Sequence, residues 1–318
     1  MLKKRTLVLI TLFAIGMIQL YCQTMQLDNH LDKVKIGTTY MTMNNSFYQT
    51  LNAEIKRQLP IQDYRLVVRD AEFDDTRQSQ QINDFIRQKV KMIVINPVKS
   101  DSEPILKALQ KAKKKGIKII VVDSQLAKAS LSDTTIVSDN YLAGTLIAKQ
   151  MMAKYPKARI VLLEHQEAIS AKERIQGFLD TIKGKDAYDV VAREDTSGQT
   201  ETGMPKVAAI IDQGISFDVV MALNDKSALG ALAAIKDKQI TQAISIYGVD
   251  GSPDMKKILA ETQDIAATVA QSPLQIGAKT AEVIKRLQAN KSVKAHYTIP
   301  VTLITKDTIE TYDRNGWQ

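Results

Sequence analysis

Short apolar runs alternate with longer amphipathic stretches along the chain from residue 34 onward. The apolar runs are rich in Val and Ile and predict ten strands: 34–40, 64–70, 91–96, 117–123, 134–139, 158–164, 188–194, 217–225, 244–250 and 265–271. The amphipathic stretches predict nine helices: 47–58, 76–88, 102–115, 142–155, 171–182, 203–213, 226–236, 254–261 and 275–289. Apolar strands that are each followed by a helix are typical of parallel sheets covered on both faces.

Ten strands are too many for one comfortable doubly wound sheet. The pattern divides near residues 137–140 into two sets of about five strand–helix units. The predicted fold is therefore α/β, with two similar doubly wound parallel-sheet lobes. In such sheets ligands bind beyond the carboxyl ends of the strands, so we expect a ligand cleft there.

Composition supports a globular protein, with 44% hydrophobic and 25% charged residues. The net charge is +8, and the one dense basic run, residues 111–118, falls at a predicted helix end. Cations suit a helix C-terminus, so we interpret this run as a solvated face. No nucleic-acid partner is expected.

Residues 1–30 predict a targeting segment outside the fold. A basic start, MLKKR, precedes a stretch without charge from Thr6 to Leu27, which is typical of export. This signal peptide or signal anchor could be cleaved, lipidated at Cys22, or retained as a membrane-spanning helix. The chain is thus predicted to work in the periplasm or on the outer face of the cytoplasmic membrane, and to touch the membrane only through this segment.

Little in the sequence points to catalysis or metal binding. Cys22 is the only cysteine, and the three histidines have no metal-ligand spacing. The stretch EHQE (164–167) has no second histidine at the metal-binding spacing, and we interpret it as a solvated loop. No Gly-rich phosphate loop, dinucleotide motif or nucleophile elbow is present. The predictions are no enzyme activity, no cofactor and no metal.

Polar residues stand where the predicted strands end. Asp123, Asn224 and Asp250 each end a strand, Gln271 ends the last, and NNSFY (44–48) follows the first. Carboxylates accept hydrogen bonds from hydroxyls, amides donate and accept, and aromatic faces cover sugar C–H groups. Any one of these residues could simply cap a helix or make a turn, but jointly they favour a polyhydroxylated ligand. The single tryptophan, Trp317, is far from them in sequence.

Seven stretches in order carry a family resemblance: MNNSFY (43–48), INPVKSD (95–101), VSDNYLAG (137–144), SAKERIQGF (170–178), LNDKSALGAL (223–232), GVDGSPD (248–254) and ATVAQSPLQIGA (267–278). With these the chain resembles the ribose-binding-protein type of type I periplasmic sugar-binding proteins. The resemblance implies two lobes joined by three hinge crossovers, which close on a monosaccharide. The implied boundaries are 34–137 plus 272–300 for the N-terminal lobe and 138–271 plus 301–318 for the C-terminal lobe.

The same resemblance implies the ligand-binding residues. The family's arginine falls on Lys172 or Arg174, and both alternatives stay open. Family residues are missing at Ser124, Val249, the pair 197–198 and Met41, so a sugar other than ribose is plausible. The other implied positions are Asn45, Phe47, Tyr48, Asp123, Asn224, Asp250 and Gln271.

The leading functional hypothesis is a receptor that captures a sugar and delivers it to the permease of an ABC importer. The alternative is a membrane-tethered sugar sensor that presents its ligand state to a histidine kinase or chemoreceptor. A transcription regulator on this fold would need an N-terminal DNA-binding module, where this chain has its apolar segment. The sugar and the membrane protein are the only partners expected.

Overall fold

A computed structural model describes residues 14–19, 21 and 33–318 of the chain. Residues 14–19 are helical, and no helix in the described ranges is long and apolar enough to cross a membrane. Lipidation of Cys22, and most of the predicted targeting segment, lie outside the described residues.

Twelve strands form two sheets of six. The first sheet has the order β2-β1-β3-β4-β5-β11, with every neighbouring pair parallel. Its strands are β1 (Val34–Tyr40), β2 (Tyr64–Asp70), β3 (Met92–Ile95), β4 (Lys118–Val122), β5 (Thr134–Ser138) and β11 (His296–Ile299). The second sheet has the order β7-β6-β8-β9-β10-β12, and only β12 runs antiparallel. Its strands are β6 (Ala158–Glu164), β7 (Tyr188–Asp195), β8 (Val219–Ala222), β9 (Ser245–Asp250), β10 (Ile265–Ala270) and β12 (Thr302–Thr305).

Nine helices cover the faces of these sheets in the range 33–318. They are α1 (Ser46–Gln58), α2 (Asp75–Arg87), α3 (Glu103–Lys114), α4 (Asn140–Lys154), α5 (Ile169–Ile182), α6 (Thr200–Asp212), α7 (Asp225–Asp237), α8 (Pro253–Glu261) and α9 (Pro273–Gln288). Many begin at a side chain that accepts a hydrogen bond from the first turn, as Asn45 does for α1 and Asn224 for α7. We call each sheet with its helices a lobe. Helices α1, α2, α3 and α9 pack on the first lobe, and α4 to α8 on the second.

The predicted α/β architecture is confirmed. All ten predicted strands and nine predicted helices are present, with ends that shift by a few residues. The pattern missed β11 and β12, which are four residues each and bury one isoleucine apiece. Such short edge strands have little apolar periodicity of their own, because they form by pairing with β5 and β10.

The chain passes between the lobes after β5, after β10 and between β11 and β12. The last residues then return toward the first lobe. The buried ammonium group of Lys256 in α8 donates hydrogen bonds to the carbonyl oxygens of Asp313 and Gly316, the second at 2.7 Å. Trp317 thereby packs against the core of the first lobe. The lobe boundaries given above stay a prediction.

Candidate functional site

A cleft lies between the lobes, where the carboxyl ends of the parallel strands of the two sheets face each other. It contains about 480 Å³ of space not occupied by atoms, part of it open to solvent. The lining residues are Met41, Asn45, Phe47, Tyr48, Asp123, His165, Ala168, Ser170, Ala171, Arg174, Ser197, Gly198, Gln199, Leu223, Asn224, Asp250 and Gln271.

The two lobes touch along the rim of this cleft, so the structure is a closed form. Backbone and side-chain donors from one lobe reach acceptors on the other. The four bonds are Ser100 N to Glu167 O (3.0 Å), Ser170 N to Ser124 Oγ (3.3 Å), Gln125 Nε2 to Glu173 Oε1 (2.8 Å) and Lys226 Nζ to Asn44 O (2.7 Å). A hydrogen bond of this kind contributes about 0.5–1.5 kcal/mol net, which suits a reversible closure.

The start of α1 supplies an aromatic wall to the first-lobe side. Asn45 accepts a hydrogen bond from Phe47 N at 3.0 Å, and this cap fixes where the helix begins. Phe47 and Tyr48 are buried and meet edge to face, with ring centroids 5.5 Å apart. Behind Phe47 lies Trp317, also edge to face at 5.5 Å. The tryptophan that is remote in sequence thus supports the wall of the cleft.

Asp123 follows β4 and is held from two sides. Tyr48 Oη donates to its Oδ2 at 3.0 Å, and Asn96 Nδ2 donates to the same atom at 3.1 Å. Its φ of 65° is left-handed, a strained conformation for a residue other than glycine. Burial raises the pKa of Asp123, and the nearby Arg174 opposes that rise. Asn96 was not among the predicted site residues, although it belongs to one of the family-like stretches.

Arg174 reaches into the cleft from α5, whereas Lys172 on the same helix is exposed and outside it. Its Nε donates to Asn140 Oδ1 at 2.9 Å, and its Nη1 donates to the carbonyl of Leu223 at 3.0 Å. Helix α5 packs closely against α4 because Gly144 in α4 has no side chain. A Cβ atom at this position would collide with the backbone of Arg174. These contacts place a fixed guanidinium group in the middle of the site.

Asp250 ends β9 with its side chain in the cleft. Its Oδ1 accepts from Gln271 Nε2 at 2.7 Å and lies 3.9 Å from Arg174 Nη1. Burial and the neighbouring Asp225 and Asp123 carboxylates raise the pKa of Asp250, while Arg174 opposes them. The charged form of Asp250 is therefore poorly stabilised by the protein alone.

Asp225 is a further buried carboxyl group that sequence reasoning did not select. It lies just behind the cleft, where its oxygens accept from Thr268 Oγ1 and Ser252 N, both at 2.7 Å. Burial raises its pKa. Its role is to hold the loop after β9, and it adds negative charge behind Asp250.

Asn224 forms part of the second-lobe floor. Its Oδ1 caps α7 through Ser227 N at 2.9 Å, and its Nδ2 donates to Gly198 O at 3.0 Å. Asn224 therefore combines the two roles considered for polar residues at strand ends: its side chain caps a helix and also lines the cleft. Gly198 has a φ of 68° and leaves the space above Asn224 without a side chain.

His165 corrects one interpretation. The stretch EHQE was read as a solvated loop, but His165 is only 7% exposed and lines the cleft. It directly follows β6, a central strand whose end lies beside the end of β8. The position resembles those of Asp250 and Asn224, so the strand-end signal was available here too. Within the described part of the chain, no cluster of residues could hold a metal ion.

The cleft has more carboxylate groups, which accept hydrogen bonds, than cationic groups, which donate them. Asp123 and Asp250 face it with Arg174 as the one cation among the described lining residues. Carboxylates that are buried without enough donors favour a ligand that donates hydrogen bonds. Hydroxyl groups do so without adding charge.

Comparison with known proteins identifies the fold's family. The model of the periplasmic binding protein domain matches residues 36–292, which is most of the chain. The chain belongs to the periplasmic binding protein family. Family membership implies an extracytoplasmic location.

Individual members of this family agree in length and fold. The ribose import binding protein of Salmonella typhimurium is 28% identical over 280 residues, covering 87% of this chain and 93% of its own. A solute-binding protein of an ABC transporter from Bacillus halodurans, solved with bound myo-inositol, superposes with a TM-score of 0.81 at 23% identity, covering 88% and 97%. The arabinose-binding component from Shewanella sp. ANA-3, solved with L-arabinofuranose, gives 0.80 at 26% identity, covering 87% and 93%. These periplasmic binding proteins share the two-lobed architecture described here.

Proposed function

We propose that this chain is an extracytoplasmic receptor that captures a neutral monosaccharide or similar polyhydroxylated molecule and delivers it to an ABC importer. The observation that carries the proposal is the closed interlobe cleft in which Asp123 and Asp250 flank Arg174 beside an aromatic wall. The relatives named above, an import binding protein and two solute-binding components, support the same function.

The chemistry of the cleft fits a sugar ring. Asp123 and Asp250 lie on opposite lobes and accept hydrogen bonds, so each can take hydroxyl donors from one edge of a ring. Arg174 and Asn224 offer donors to hydroxyl oxygens. Phe47 provides an apolar face for the C–H groups of the ring. Closing the lobes on such a ligand would satisfy the buried groups from both sides.

The proposed ligand-binding set comes mainly from the predicted residues, with Arg174 in the arginine position. Lys172 is left out because its side chain is exposed outside the cleft. Asn96 positions Asp123 without lining the cleft itself. The proposed set is Asn45, Phe47, Tyr48, Asp123, Arg174, Asn224, Asp250 and Gln271.

The identity of the sugar stays open within this class. Ser124 and Gly198 replace larger family residues, so the cleft lacks a donor and a stacking side chain there. Met41 lines the cleft, while Val249 is buried in the second-lobe core. Ribose is thus one candidate among pentoses, hexoses and cyclic polyols.

An ABC permease is the proposed membrane partner, and the absence of enzyme activity stays a prediction. The relatives above give no support to the sensor alternative, and membrane tethering concerns residues that lie largely outside the described ranges.

A thermal-shift screen of the full chain tests the proposal. The panel contains D-ribose, L-arabinose, D-allose, D-galactose and myo-inositol, with D-mannitol as an open-chain comparison. A ligand at 100 times its dissociation constant should add about 2.7 kcal/mol to the free energy of unfolding. Arg174→Met is the loss-of-site control and Lys172→Met its matched surface control. Stabilisation of the Arg174→Met variant equal to that of the wild type would contradict the proposed site.

A further inference from the structure

His165 stands out because its imidazole is buried in the cleft without a hydrogen-bond partner. Its relative exposure is 7%, and neither Nδ1 nor Nε2 has a partner among the described residues. Buried polar groups are nearly always hydrogen-bonded, so an imidazole with two unsatisfied nitrogens needs an explanation. The cleft that it lines offers one.

The neighbours of His165 do not satisfy it. The nearest carboxylate is Asp195, whose Oδ1 lies 3.8 Å from Nδ1, too far for a hydrogen bond. The oxygens of Asp195 already accept from the backbone N–H groups of Ser197 and Gln166, both at 2.8 Å. Asp195 thus serves to hold the loop after β7, and the imidazole is left to the cleft.

The charge state of His165 follows from its surroundings. Burial lowers the pKa of His165, while Asp195 and Glu167 raise it and Lys172 lowers it. Because burial is the largest of these effects, the imidazole is neutral around pH 7. A neutral imidazole has one N–H donor and one nitrogen acceptor, which is what a hydroxyl group needs from a partner.

The position of His165 gives it access to a ligand. In the second sheet, β6 lies between β7 and β8, so His165 stands between Gly198 and Asn224 along the row of strand ends. Both His165 and Gly198 line the cleft, and His165 is the one histidine among the described lining residues.

We propose that His165 contacts the ligand directly, through a hydrogen bond between its neutral imidazole and a hydroxyl group, and that it determines specificity at this end of the cleft. This inference rests on the proposed function. It adds that the ligand is uncharged here, because Asp195 Oδ1 lies 3.8 Å from Nδ1 and a ligand carboxylate or phosphate at the imidazole would meet that negative charge. A sugar acid with its carboxylate at this position is disfavoured.

Binding of the panel sugars, measured by isothermal titration at pH 7.5, tests this proposal. His165→Leu removes both hydrogen-bonding nitrogens, His165→Gln keeps a donor and an acceptor, and His296→Gln on exposed β11 is the matched control. For a sugar that binds the wild type, we expect His165→Leu to raise the dissociation constant at least tenfold. His165→Gln should recover part of that loss, and the control should not change it.

The outcomes separate the two proposals. If the wild type binds no panel sugar, the proposed function is contradicted and this inference falls with it. If the wild type binds and His165→Leu binds equally well, only the role of His165 is wrong. Tighter binding of D-galacturonate than of D-galactose would contradict the uncharged character assigned to this end of the site.

A spectroscopic measurement on the unmodified side chain covers the case in which His165→Leu does not fold. The chain has three histidines, so ¹⁵N-histidine labelling gives a simple spectrum. The His165 signal can be assigned from the Gln variant. Saturating sugar should shift its two ring nitrogens toward a single hydrogen-bonded tautomer. Unchanged shifts with a bound sugar would overturn the proposal.

Discussion

Replacing Asp250 by Asn is predicted to stabilise the ligand-free protein while it weakens binding. The carboxyl group is buried beside Asp225 and has one cation, Arg174, at 3.9 Å. The amide keeps the shape and can still accept from Gln271, whose bond is 2.7 Å in the wild type. It removes the cost of ionising a buried group near other carboxylates.

The magnitudes follow from the raised pKa. The pKa of Asp250 is raised to about 8. Each pKa unit between its ordinary value and pH 7 corresponds to about 1.4 kcal/mol, so we expect Asp250→Asn to raise the free energy of unfolding at pH 7 by up to about 4 kcal/mol. Hydroxyl donors of a bound ligand favour the ionised form of Asp250, and a hydrogen bond from a ligand hydroxyl to this charged acceptor is worth about 1.5–3 kcal/mol. The dissociation constant should therefore rise about 10- to 150-fold.

The pH dependence supplies a second readout with a definite sign. The folded-state pKa of Asp250 is raised above its unfolded value. Its contribution to stability is thus fully present below pH ~4 and is lost as the pH rises toward the folded-state pKa. The unliganded wild type should lose stability relative to Asp250→Asn between pH ~4 and 7.

Urea denaturation at several pH values, with titration of a panel sugar at pH 7, measures both effects. Asp186→Asn is the matched control, because Asp186 is exposed in a loop. A variant that is less stable than wild type at pH 7, or that binds as tightly, would refute this account of Asp250.

Other variants test further parts of the site. Arg174→Met should raise the dissociation constant more than 100-fold and cost about 3–5 kcal/mol of stability, because it leaves buried carboxylates uncompensated. Lys172→Met should change neither quantity by more than experimental error. Calorimetry and urea denaturation would show whether the two variants differ. Tyr48→Phe removes the donor 3.0 Å from Asp123 Oδ2 and should weaken binding about 3- to 10-fold, and unaltered affinity would show that this bond does not shape the site. The fluorescence of Trp317, the only tryptophan, should change when a sugar binds, because its ring lies against the cleft wall; an identical spectrum at saturation would contradict that coupling.

The regular part of the fold could be predicted because its strands are apolar almost throughout and each is followed by an amphipathic helix. The last two strands could not, since His296–Ile299 and Thr302–Thr305 are only four residues long and each buries a single isoleucine. Their place depends on pairing with strands more than 30 residues earlier, which local periodicity does not encode.

The choice between Lys172 and Arg174 could have been made from helical phase. Ala171, Arg174 and Phe178 recur at spacings of three and four and share the buried face of α5, and Lys172 is off that face. Charge alone did not distinguish the two side chains, because both are cationic. Helix phase is thus a better guide here than the resemblance alone.

His165 and Trp317 show two other reasons why site residues were missed. His165 follows a strand as Asp250 does, but the neighbouring charges of EHQE favoured a solvated loop. The contact of Trp317 with Phe47 depends on the return of the C-terminal residues, which Lys256 anchors through two backbone carbonyls. Residues this far apart in the sequence meet only when the chain folds, so the local sequence pattern does not reveal their contact.

A crystal structure of the chain with the panel sugar that stabilises it most would test the central claim most directly. The account predicts one sugar in the interlobe cleft, with hydroxyl groups within hydrogen-bond distance of Asp123, Asp250 and Arg174 and its C–H face toward Phe47. A sugar bound elsewhere, with the cleft residues making no contact to it, would contradict the claim that this cleft is the ligand site.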